Sequence, residues 1–99
     1  MTAAELAASA LRDAAPPPGL SDEAQALWQA KAGHWEASHN IAQEIHTPLG
    51  SWIHALLHLI EGDQGNADYW FAKARKPSRR APDINALWDE IARVVLTET

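Results

Sequence analysis

His54, His58 and Glu61 stand at positions i, i+4 and i+7. On a helix that spacing places the three side chains along one strip. Two imidazoles one turn apart can share a metal ion, and a carboxylate on the following turn can add an oxygen ligand. Position 55 is Ala, so the glutamate of an H-E-x-x-H metalloprotease motif is missing. Upstream, His39 and His46 form a second strip with Gln43 between them. Glu36 and His39 have the E-x-x-H spacing of carboxylate-bridged metal bundles. Those bundles need that motif twice together with further glutamates, and the chain carries it once. If the two strips face each other in a hairpin, His39, His54, His58 and Glu61 converge on a site for a divalent metal. The plainer alternative is a set of half-buried imidazoles bonded to carboxylates and carbonyls at a helix interface. A His/Glu pair can serve as acid and base, but no nucleophile accompanies it. Ser38 and Ser51 lie outside any G-x-S-x-G pattern.

Five tryptophans (Trp28, Trp35, Trp52, Trp70 and Trp88) dominate the aromatic residues. Each falls on or beside the apolar stripe of its helix, which makes most of them core fillers. Every indole also carries an N–H that needs a partner. One or two can therefore open onto a groove or a dimer surface, where Trp concentrates binding energy. The candidate binding residues are Trp35, His39, His46, Trp52, His54, His58, Glu61 and Tyr69.

Two polar clusters read as structure. Asp63, Asn66, Asp68 and Tyr69 surround a turn, where Asp and Asn bond nearby backbone amides. Lys73, Arg75, Lys76, Arg79 and Arg80 form a basic helix end followed by a loop, which suits the helix dipole. The net charge of −5 argues against a nucleic-acid partner. An acidic surface elsewhere could pair with the basic run in a second copy, giving a homodimer.

These residues need elements to hold them. Ninety-nine residues give one small domain able to bury a core without staples. The absence of cysteine excludes a disulfide scaffold, a thiol enzyme and a Cys-ligated zinc module. The composition is 46% hydrophobic and 21% charged, rich in alanine, and nowhere alternates with period two, so the fold is all-α. Helices are expected over 3–14, from Ser21 to Gly33, from His34 to Thr47, over 49–61, over 66–76 and from Asp83 onward. Thr2 and Glu5 form a capping box for the first. Residues 1–15 read as an N-terminal helix or arm, 16–20 as a Pro-rich linker and 21–99 as a domain of antiparallel helical hairpins. No apolar run approaches the roughly 20 residues that span a bilayer, so no membrane partner is expected. The start of the chain lacks a basic leader, and Glu5 and Asp13 argue against a signal peptide, so the expected compartment is cytoplasmic.

Two segments echo each other at an offset of 29 residues: one runs from Gly33 to Pro48, the other from Gly62 to Pro77. In the second, Gly62, Asp63, Ala67, Trp70, Phe71 and Ala74 match the second half of a tetratricopeptide or Sel1-like repeat. The first keeps Gly33, Trp35 and Ser38 but has Ile45 where Ala belongs, and the period is shorter than the usual ~34 residues. The stretch from Trp52 to Trp70 also resembles a group of small bacterial proteins with no assigned activity. The tetratricopeptide resemblance implies a right-handed stack of about six helices that binds rather than reacts. The resulting expectation is a non-catalytic module holding a peptide, a partner helix or a second copy. The alternative is a small metal- or ligand-binding protein, with scope for catalysis, built on His39, His54, His58 and Glu61.

Overall fold

The computed structural model describes residues 1–97, and those residues are all-α, with no strand among them. The elements in chain order are α1 (Ala3–Arg12), α2 (Asp22–Lys31), α3 (Trp35–Ala42), α4 (Pro48–Ile60), α5 (Gln64–Ala74) and α6 (Ile84–Thr97), the last entered through a 3-10 turn, Ala81–Asp83. No helix is long and apolar enough to cross a membrane.

Local chemistry sets most of the boundaries. Thr2 and Glu5 bond reciprocally at the start of α1, the backbone N–H of Thr2 to Glu5 Oε1 at 2.8 Å and that of Glu5 to Thr2 Oγ1 at 3.1 Å. Ser21 Oγ accepts the N–H of Ala24 and caps α2. Gly33, at φ +87°, ends the α2 region in a left-handed conformation that a side chain would disfavour.

α1 is docked. Leu6 is fully buried, and the Trp28 indole N–H donates to Ser9 Oγ at 3.1 Å. The segment read as a helix or arm thus lies against α2 and α6. Its few apolar residues suffice because Ala3 and Ala10 let the helices approach and Ser9 satisfies a buried indole.

α4 is the central helix. Ile53, Leu56 and Leu57 are fully buried, and it touches α2, α3, α5 and α6. Its wide apolar arc predicts this placement. Trp88 on α6 reaches across the core and donates its indole N–H to the Leu27 carbonyl at 2.8 Å. Trp28, Trp52 and Trp88 are buried, and Trp35 and Trp70 are half-buried.

One boundary departs from expectation. α3 ends at Ala42, not at Thr47. Thr47 instead caps α4, its Oγ1 accepting the N–H of Gly50 at 3.2 Å, and Pro48 fills the first helical turn. The backbone of Gly50 presses on Ile45, where a Cβ at position 50 would overlap the Ile45 carbonyl. Residues 43–47 form the close turn that leads from α3 into α4. The first half of the internal echo is shortened accordingly, and Ile45 lies beyond its helix.

The second half of the echo carries the 11-residue helix α5. Gly62 turns at φ +85°, Asp63 caps α5 by accepting the Asn66 N–H at 3.1 Å, and Ala67, Phe71 and Ala74 are buried. Asp63 brings the start of α5 forward to Gln64. Arg75, at φ 58°, closes the helix.

Candidate metal centre

α3 carries His39 to the face of α4 that presents His54 and His58. Nitrogen atoms of the three imidazoles lie within 4.8 Å of one another. His54 and His58 stack one turn apart, with ring centroids 5.0 Å apart and planes 17° from parallel. His39 meets them edge-on, at 4.6 Å from His54 and 5.8 Å from His58. His54 and His58 are buried and His39 is half-buried.

Two indoles wall the cluster. Trp70, from α5, lies flat on His54 with centroids 3.9 Å apart. Trp35, from α3, stacks on His39 at 4.8 Å, meets His58 edge-on and donates its N–H to the Leu57 carbonyl at 2.7 Å. That bond fixes the α3–α4 approach at the level of the histidines.

Glu61 holds a different place from the one its spacing suggests. Its Oε2 lies 2.5 Å from His58 Nδ1, and it groups with His58 and Asp63, not with His39 and His54. A carboxylate only accepts hydrogen bonds, so His58 Nδ1 is the donor of this contact and Nε2 is the nitrogen turned away from Glu61. Glu61 is thus the hydrogen-bond partner of His58 and lies outside the group of His39, His54 and His58. This carboxylate–imidazole arrangement fixes the tautomer of metal-bound histidines.

The electrostatics keep His54 neutral. Burial, followed by electrostatic repulsion from His39, His58 and Lys73, lowers its pKa from 6.5 to about 4. A neutral imidazole binds a metal without first losing a proton. The three rings present their nitrogens to one another from two helices.

The other expected residues fall outside this face. His46 lies on the exposed α3–α4 connection because α3 ends early, so the strip of His39, Gln43 and His46 does not form. Trp52 is buried, with Lys76 Nζ 4.4 Å above its ring. Tyr69 is exposed and meets the edge of Trp70. Members of the basic run are engaged nearby: Arg79 pairs with Glu90 at 2.7 Å and with Asp83 at 3.4 Å. The turn cluster also serves structure, as Asp68 accepts from Gln64 and Ser78.

Sequence reasoning missed Trp70 and Lys73 as site residues. The signal was the hairpin turn at Gly62. His54 and Trp70 each lie eight residues from it, so an antiparallel α4–α5 pair brings them level. Lys73 is one turn further along α5 and rests 4.9 Å above the Trp70 ring.

Comparison with protein-family models, with curated proteins and with solved structures finds no match to the chain. The chemistry of the centre therefore rests on its own residues.

Proposed function

We propose that the protein binds a divalent transition metal, zinc or a neighbouring ion such as nickel or copper, through His39, His54 and His58. The convergence of three imidazoles from two helices carries this reading. Zinc–nitrogen bonds of ~2.05 Å at tetrahedral angles need ligand atoms roughly 3.3 Å apart. Small side-chain rotations bring nitrogens already within 4.8 Å to that spacing. Imidazole ligands favour zinc, copper and nickel over calcium or magnesium.

Glu61 supports the reading from outside the ligand set by orienting His58. Metal binding is favoured over the broader expectation of an interaction module. The two half-buried indoles, Trp35 and Trp70, stack on histidines of the cluster.

Calorimetric titration of the full chain with zinc tests the proposal. One zinc per chain is expected. At about a hundredfold excess of zinc over Kd, a thermal shift of roughly 10 °C or more follows from the linkage relation. His39→Ala removes a half-buried ligand with little damage to the core and should abolish most of the affinity. No zinc binding by the wild type, or unchanged affinity in His39→Ala, overturns the proposal.

A further inference from the structure

The metal centre has a neighbour. A cavity of about 350 Å³ opens between the α3–α4 connection, the start of α4 and α5. His54 belongs to both, as one of the three clustered imidazoles and as part of the cavity wall. Three protein ligands leave a tetrahedral ion an open position for an exogenous group.

The polarity of the cavity is one-sided. Lys73 lines it, and no Asp or Glu does. Among the described residues Lys73 pairs with no carboxylate. Its ammonium rests only over Trp70 and Tyr69. In a chain of net charge −5, an acid-free cavity with an uncompensated cation is a selective place for an anion. Thr47 and Ser51 add hydroxyls at the N-terminal end of α4, the positive end of its dipole. The remaining walls combine apolar groups such as Ile45, Pro48 and Trp70 with the polar side chains of Gln43 and His46. One ammonium without an Arg fork suits a single carboxylate better than a phosphate dianion. The apolar walls suit a compact hydrocarbon body.

We infer that this cavity takes a small organic carboxylate that displaces water from the metal held by His39, His54 and His58, with Lys73 as its counter-charge. The inference rests on the metal-binding reading above.

Cobalt(II) is the probe metal, because its visible spectrum reports its ligands, and benzoate is the probe anion. Cobalt is titrated into the full-length protein first, and benzoate into the loaded protein second. Benzoate should shift the cobalt spectrum saturably. Neutral benzamide should not shift it, and inorganic phosphate should require at least tenfold higher concentration. Lys73→Met, loaded with cobalt, should bind benzoate roughly tenfold more weakly or worse. A loaded wild type whose spectrum ignores benzoate overturns the inference and leaves metal binding standing. Equal response to phosphate overturns the carboxylate assignment, and unchanged benzoate affinity in Lys73→Met overturns the role of Lys73. Failure of cobalt to bind the wild type removes the metal reading and this inference with it.

Discussion

The His54 imidazole lies against the Trp70 indole with planes 6° from parallel and centroids 3.9 Å apart. This contact joins α4 to α5 at the histidine cluster and shields one face of the imidazole from water. Trp70→Ala should cost about 2 kcal/mol of stability, less than a fully buried Trp because the ring is half-buried. It should also raise the His54 pKa from about 4 toward 6.5, since burial is the main cause of the depression. Chemical denaturation measures the first effect and an NMR titration of the imidazole C–H signals the second. An unmoved His54 titration would show that the indole does not set the environment of this ring.

The same depression sets a pH dependence for the metal-free chain. His54 titrates at about 4 when folded, against 6.5 as the ordinary value. Between those values the unfolded chain binds more protons, so stability rises with pH. The His54 contribution is fully present above about pH 6.5 and is lost as pH falls toward 4. Urea midpoints of metal-free protein should therefore drop between pH 7 and pH 4. In His54→Gln that part of the slope should disappear. Identical slopes in the two proteins would contradict the assignment.

Glu61 tests the difference between a ligand and an orienting partner. Glu61→Gln keeps a hydrogen-bonding side chain next to His58 but removes the charge. Loss of such a partner typically weakens metal affinity 10–100-fold without changing stoichiometry. Zinc titration of the variant should show one site per chain at reduced affinity. Unchanged affinity would place Glu61 outside the centre altogether.

Two glycines separate steric from conformational cost. Gly50→Ala places a methyl group on the Ile45 backbone and should destabilise the chain by roughly 2 kcal/mol or more. Because Gly50 sits at the crossing that precedes His54, zinc affinity should fall as well. At Gly62, φ is +85° and a Cβ meets nothing within 4 Å. Gly62→Ala should cost only about 1 kcal/mol of backbone strain and leave zinc affinity unaltered. The order of the two variants in a denaturation series checks the account of the α3–α4 crossing.

Much of this arrangement is legible in the sequence. Thr2, Ser21 and Asp63 are capping residues whose side chains act over three positions, so local pattern finds them. The strip of His54, His58 and Glu61 follows from helical geometry alone. The end of α3 does not. Ile41, Ala42 and Ile45 continue a helical period past the true boundary, whereas Ile45 in fact lies against Gly50 in the turn into α4. The same period places His46 on the strip. Spacing likewise puts Glu61 on the face of His54 and His58 but does not report which ring nitrogen a carboxylate meets. Trp70 depends on the register of the α4–α5 hairpin, which a single-helix wheel does not encode.

The X-ray absorption spectrum of the zinc-loaded chain addresses the central claim most directly, because it counts the ligands. The predicted spectrum has nitrogen or oxygen neighbours at ~2.0–2.1 Å with the outer-shell scattering of three imidazoles. In His39→Ala the imidazole count should fall by one. A wild-type spectrum with fewer than two imidazoles, or one that His39→Ala leaves unchanged, would contradict a centre built from His39, His54 and His58.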